Sequence, residues 1–173
     1  MKKEISEFSE KLSWYKNSSG KRIYELKDDK KVFATIIWLK DTGTLAEASS
    51  QFGKWTFKRA GFFKPYITIR KSNEPFDFGV LKFSWTNDSE LQLKNGKKFY
   101  FSNTNLWRQE YGFKDINRNL ILRTVPNYNK RGSDGFTYYN ENSLPSDELF
   151  LLITLSWYII SSHADDENIL LLT

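Results

Sequence analysis

The amino-acid sequence predicts a mainly β protein, a closed antiparallel barrel of about 12 strands around a buried C-terminal hydrophobic helix. Three observations predict it. From about Lys11 to Tyr139 the dominant period is two, broken only by turn signals. The run from Leu149 to Ile160 is apolar with no polar face. Apart from strands, the chain offers almost nothing with which to surround such a helix. A flat sheet or a sandwich covers one side of a helix, whereas a closed barrel covers every side and leaves no strand edge exposed.

In the strand region Trp55 and Phe57 alternate with Lys54, Thr56 and Lys58. Ile67 and Ile69 alternate with Tyr66, Thr68 and Arg70, and Phe99 and Phe101 with Lys98, Tyr100 and Ser102. Half-buried strands read this way. The turn signals between them are Asn17-Ser18-Ser19-Gly20, Asp28-Asp29, Asp41-Thr42-Gly43, Ser72-Asn73-Glu74-Pro75, Asn87-Asp88-Ser89 and Asn95-Gly96. Walking from turn to turn places strands near 11–16, 21–27, 31–39, 44–50, 54–59, 65–71, 77–86, 90–94, 97–102, 107–113, 119–125 and 136–139. Asn95-Gly96 reads as a two-residue type I′ hairpin, because both residues tolerate positive φ. The polar stretch from Pro126 to Gly135 reads as a long surface loop.

The helix is placed at about 146–163. Pro145, Ser146, Asp147 and Glu148 form a helix start, with an N-cap oxygen and negative charge near the positive dipole end. Its end is expected near Ser161-Ser162-His163, since Asp165-Asp166-Glu167 opposes the negative dipole end. The run of about twelve apolar residues is shorter than the roughly 20 needed to span a bilayer. Lengths agree: about 17 helical residues give roughly 25 Å, and strands of six to eight residues give roughly 20 to 26 Å. Trp38, Trp55, Phe83 and Trp85 are expected to fill the annulus between helix and wall. The apolar tail 169–173 is expected to return to the barrel mouth as a last strand or to contact another chain.

Composition fits one domain spanning 1–173, with aromatics at 17% supplying the filling. No cysteine is present, which excludes disulfides, thiolate nucleophiles and cysteine metal sites, and a single histidine excludes multi-histidine metal centres. No cofactor and no metal is expected. Met1 to Glu7 lead into no apolar run, so no signal peptide is expected and the location is expected to be cytoplasmic, or peripheral to a membrane.

Charge is segregated along the chain. Residues 54–131 hold sixteen basic and six acidic side chains, whereas residues 132–173 hold seven acidic ones and no Lys or Arg. A basic middle attracts polyanions or an anionic membrane surface. The candidate binding residues for lipid or a protein partner are Lys54, Lys58, Arg59, Lys64, Arg70, Lys71, Lys97 and Lys98.

Catalytic motifs are missing. No two glycines are spaced as Gly-x-Gly, and no Gly-Lys-Ser/Thr phosphate loop occurs. His163 follows the apolar helix and reads as a dipole partner. Glu25, Glu47 and Glu110 are the acids that two strands would have to bring together for a carboxylate hydrolase. Asp165-Asp166-Glu167-Asn168 lacks the spacing of a calcium loop and reads as a solvated helix exit.

The segment Gly53-Lys54-Trp55-Thr56-Phe57-Lys58-Arg59-Ala60-Gly61-Phe62-Phe63-Lys64-Pro65-Tyr66-Ile67-Thr68-Ile69-Arg70 is similar to bacterial members of the tubby C-terminal-like group, which includes tubby proteins, phospholipid scramblases and plant LURP-one-related proteins. The resemblance covers most of the chain by element order and this segment by residues. It implies a barrel around a hydrophobic helix and, in some members, binding of anionic lipid head groups by exposed Lys and Arg. The acidic calcium segment, cysteine cluster and membrane-spanning tail associated with scramblases have no counterpart here. The function expected is therefore a non-enzymatic barrel module that binds anionic phospholipid or a protein partner through a basic outer face. The alternative is a small-molecule or single-stranded nucleic-acid binder, favoured if solvent-exposed aromatics stand beside Lys58, Lys98 or Arg108.

Overall fold

A computed structural model describes residues 8–84, 86–105, 107–129 and 131–171, with the backbone alone for 165–171. Twelve strands follow in chain order: β1 Glu10–Lys16, β2 Ile23–Lys27, β3 Val32–Trp38, β4 Ala46–Ser50, β5 Gly53–Ala60, β6 Tyr66–Lys71, β7 Gly79–Lys82, β8 Ser89–Leu93, β9 Lys98–Asn105, β10 Glu110–Lys114, β11 Leu120–Pro126 and β12 Gly135–Tyr139. Each pairs antiparallel with its sequence neighbours, and β12 closes on β1 from Glu10↔Tyr139 to Trp14↔Gly135. The helix α1, Ser146–Leu171, follows. This is the expected barrel and central helix.

Because the strands alternate in direction, their connections alternate between the two ends of the barrel. The β2–β3, β4–β5, β6–β7, β8–β9 and β10–β11 turns share the proximal end, where the helix enters. The β1–β2, β3–β4, β5–β6, β7–β8, β9–β10 and β11–β12 connections form the distal end, where it leaves.

The helix is enclosed as its sequence requires. Every residue from Glu148 to Ser162 is buried. The inward strand positions meet it with Trp14, Leu26, Ile36, Trp55, Phe57, Ile67, Ile69, Leu81, Leu91, Phe113 and Leu122. Trp157 stacks on Trp14 with centroids 5.2 Å apart and planes 7° from parallel, and meets Tyr24 edge-on at 5.7 Å. Its ring lies over Gly135, where an added Cβ would come within 2.6 Å, so only glycine fits beneath it. Of the expected annulus residues, Trp38 and Trp55 are buried and Phe83 is half-buried against the core, while Trp85 lies outside the described residues.

A buried chain of hydroxyls fixes the rotation of the helix within the wall. Trp14 Nε1 donates to Thr137 Oγ1 at 2.9 Å, and Thr137 lies 3.2 Å from Thr124, whose Oγ1 is 2.8 Å from Ser156 Oγ. Ser156 donates to the Ile153 carbonyl at 2.8 Å, so one direction of donation satisfies every member. The chain joins β1, β12, β11 and α1. Each of its groups would cost about 1–3 kcal/mol if buried without a partner, which disfavours any other helix rotation.

Four local expectations are corrected. First, the helix does not stop near 161–163. Its backbone continues to Leu171, through Asp165–Glu167 and into the tail expected to form a strand or an outside contact; Leu172 and Thr173 lie outside the described residues. The dipole penalty acts only within the last turn, so acids placed further back do not end a helix. Second, Asn95-Gly96 is a three-residue hairpin loop: Leu93 N–H bonds Lys97 O at 2.9 Å, Gly96 N–H bonds Leu93 O at 3.0 Å, and Gly96 alone has positive φ, at 86°. That is a type I turn followed by a left-handed glycine, in which the Asn95 side chain accepts the Lys97 N–H at 3.0 Å. Third, the Pro145 carbonyl accepts the first helical bond, from Leu149, which puts at the cap position a residue that has no side-chain oxygen. Fourth, the strand expected from 107 begins at Glu110 and leaves Trp107 in a turn.

Candidate binding surface

The eight candidate cations come from β5, β6, the β5–β6 connection, the β8–β9 turn and the start of β9, and the structure does not gather them into one patch. Lys54 and Lys58 project outward from β5, opposite the inward Trp55 and Phe57. Lys64 is exposed in the β5–β6 connection. Among the described residues none of these three is ion-paired. The other five are engaged: Arg70 with Asp77 at 2.7 Å, Lys97 with Glu148 at 2.6 Å, Lys98 with Glu90 at 3.6 Å, Lys71 over the Phe78 ring at 4.2 Å, and Arg59 over Phe83 at 5.9 Å.

Several other cations are used in the same way. Arg123 pairs with the buried Glu110 at 3.3 Å and lies over Tyr138, Arg118 bonds Asp88 at 2.7 Å and covers Tyr100, and Lys11 lies over Phe136. A cation held against a ring or a carboxylate covers apolar surface as well as carrying charge. Much of the basic excess read in the sequence is therefore spent on the wall itself.

The distal connections differ. Lys21, Lys40, Lys64, Arg108 and Arg131 are all exposed there, and none is ion-paired among the described residues. Two of the acids in the distal connections are held: Asp88 by Arg118 and Lys114, and Asp134 by the Lys16 N–H at 2.6 Å. The same end exposes large aromatics at loop tips, with Phe62 92%, Phe63 87% and Trp107 97% accessible. Strand periodicity missed all three. The signal that could have found Phe62 and Phe63 is their adjacency, since a half-buried strand does not place two neighbouring aromatics on one side.

Between β5, β7, β9 and the helix exit lies a distal cleft of about 390 Å³, lined by Arg59, Pro65, Phe83, Phe101, Tyr111 and His163 among others. His163 faces Phe83 at 5.8 Å. Since the helix continues past it, His163 is not the terminal dipole partner that its place in the sequence suggests. Tyr158 closes the interior behind this end. Its hydroxyl donates to the Thr44 carbonyl at 2.5 Å and accepts the Arg59 N–H at 3.1 Å, and burial pushes the phenol up to about 12.

The acids weighed for a hydrolase do not meet. Glu25 on β2 is beside Lys27, Glu47 is exposed on β4, and Glu110 on β10 is bound to Arg123. Among the described residues no group of three or more His, Asp or Glu side chains could hold a metal ion. The Asp165–Asn168 side chains lie outside the described residues. Among the described residues no helix is long and apolar enough to cross a membrane. The chain matches no family model, no curated protein and no solved structure.

Proposed function

We propose that the protein is a non-enzymatic barrel module, of the tubby C-terminal-like kind, that attaches reversibly to anionic phospholipid surfaces. The observation that carries this reading is the segregation of cations. Those on the wall are mostly neutralised by carboxylates or laid over rings, whereas Lys21, Lys40, Lys64, Arg108 and Arg131 at the distal end are exposed and without ion pairs among the described residues. Lys54 and Lys58 extend this unpaired charge along β5. Each basic residue near an anionic leaflet contributes about 1 kcal/mol, so four or five give reversible attachment. A cytoplasmic location suits it, because the cytoplasmic leaflet supplies the anionic lipid. Flotation with phosphatidylcholine vesicles, with and without phosphatidylserine, at low and high salt tests the proposal. Binding that requires phosphatidylserine and weakens with salt is expected; equal, negligible binding to both vesicles refutes it.

One observation favours a second reading. Trp107 is exposed beside Arg108, the pairing that single-strand binders use for stacking. Beside Lys58 and Lys98 the discriminator gives the opposite answer: Phe57 and Phe99 are buried, and Tyr100 is under Arg118. Titration with a single-stranded oligonucleotide, followed by tryptophan fluorescence, separates the two readings.

A further inference from the structure

We infer that the distal end is the face that docks on the bilayer, with the Phe62–Phe63 tip and Trp107 inserting at head-group depth into an anionic membrane. The inference rests on the membrane-binding reading above and adds where and how contact is made.

The exposure of these rings is built into their turns. Gly61 has φ of 83°, and an added Cβ there would stand 2.5 Å from the Lys64 carbonyl, so the β5–β6 connection closes tightly only with glycine. Pro65, at its other end, is buried. Phe62 and Phe63 are thereby pushed outward and pack edge to face on each other at 5.0 Å and 88°, with no other described ring in contact. In the β9–β10 connection the Asn105 side-chain oxygen accepts both the Trp107 N–H at 3.1 Å and the Arg108 N–H at 3.3 Å, and Gln109 takes a positive φ of 51°. A turn held in this way presents its tryptophan with the backbone already ordered, leaving the side chain as the part to be ordered on contact.

Position and charge select the occupant. The two tips are separated along the rim by β6 to β9, about four strand spacings or ~19 Å measured along the wall. Each aromatic tip adjoins a cation, Phe63 with Lys64 and Trp107 with Arg108, the pairing that places rings among head groups and charge at the phosphates. Separate projections of this kind suit a flat, fluid surface better than a rigid protein partner, which would need complementary pockets at fixed spacing. Other exposed aromatics are placed differently: Tyr128, in the β11–β12 connection, is less exposed at 60%. Phe136, Tyr138 and Tyr100 lie under cations of the wall, and Phe76 at the proximal end has Lys94 over it at 5.5 Å.

Trp107 serves as a probe through its own variant: of the other five tryptophans Trp14, Trp38, Trp55 and Trp157 are buried and Trp85 lies outside the described residues, so Trp107→Phe isolates its signal. Flotation and fluorescence are measured on the full chain with phosphatidylcholine–phosphatidylserine vesicles, with and without brominated acyl chains. The expected result is a blue shift and bromine quenching that disappear in Trp107→Phe, and about tenfold weaker partitioning of Phe62→Ser/Phe63→Ser. Lys54→Glu, on the wall, is expected to change partitioning less than the tip variant. If the tip variant floats like the parent and Trp107 is not quenched while Lys54→Glu/Lys58→Glu loses binding, the wall docks and the inference falls, but the membrane reading stands. If the parent itself does not float, both fall. A Trp107 response to single-stranded oligonucleotide without a response to vesicles also overturns the inference. Circular dichroism of each variant confirms that a loss of binding is not a loss of fold.

Discussion

The two ends of the barrel solve the same problem, closing a cylinder around a helix, with opposite use of their side chains. At the proximal end the connections nearest the helix turn inward, although Phe76 and Ile116 are exposed there: Phe52 packs on Phe150 at 5.0 Å, Tyr139 meets the same ring edge-on at 6.1 Å, and Lys97 bonds Glu148 in the first helical turn. At the distal end one phenol, Tyr158, ties the helix to the β3–β4 connection and β5, while the loop tips point their aromatics and cations at solvent. Side chains near the proximal end serve the fold. Those at the distal tips are held by their own backbone turns and, among the described residues, pack on no other ring of the core.

The largest effect is expected where both ends depend on the same residue. Trp157 stacks on Trp14, meets Tyr24 and covers Gly135, midway along the enclosed part of the helix. Trp157→Asp would bury an unpaired charge at the centre, and the chain is expected not to fold. Its expression as a soluble protein with a cooperative melt would refute the enclosed helix.

Next comes the distal latch. Tyr158→Phe leaves the Thr44 carbonyl and the Arg59 N–H without this partner, and a loss of about 1–3 kcal/mol is expected from urea unfolding. It also alters the alkaline limb. The buried phenol titrates near 12 rather than 10, so the folded state holds its proton where the unfolded chain has released it. Its contribution is therefore complete below pH about 10 and is lost as pH rises towards about 12. The parent should lose stability steeply across that window. Tyr158→Phe should lose less, though not nothing, because burial also raises the Tyr139 phenol.

The corresponding change at the proximal end is smaller. Lys97 is half exposed, so Lys97→Ala should cost about 1 kcal/mol, the upper range for a pair open to water. Glu148 keeps the positive end of the helix dipole as a partner, which limits the loss. A cost equal to that of Tyr158→Phe would mean that the two ends hold the helix equally.

The fold was legible because burial imposes a period. Alternation at Trp55 and Phe57 or at Ile67 and Ile69 places side chains inside, and the absence of a polar face from Leu149 to Ile160 demands a wall on every side. What could not be read was the use of each cation. Lys98 and Lys58 look alike as outward strand lysines, yet one is beside Glu90 and the other has no ion pair among the described residues, a difference set by which strands become neighbours. The exposed rings escaped for the opposite reason: they lie in turns, where periodicity has no meaning and the decisive facts are a glycine dihedral and an asparagine side chain.

The smallest expected change in stability is the one that sharpens the contrast most. Phe62→Ser/Phe63→Ser removes two large rings from a barrel otherwise filled with them, and elsewhere such truncations cost about 3–5 kcal/mol each. Here both rings are almost fully accessible, and the turn that carries them is closed by Gly61 and Pro65, which the substitutions leave in place. Stability should therefore change by no more than about 0.5 kcal/mol, as is typical of surface changes, and the thermal midpoint should barely move. Phe52→Ser at the proximal end, where the ring packs on Phe150, should lower it measurably. If the Phe62/Phe63 variant melts well below the parent, the tip is part of the fold, and the division between a structural end and a presenting end is wrong.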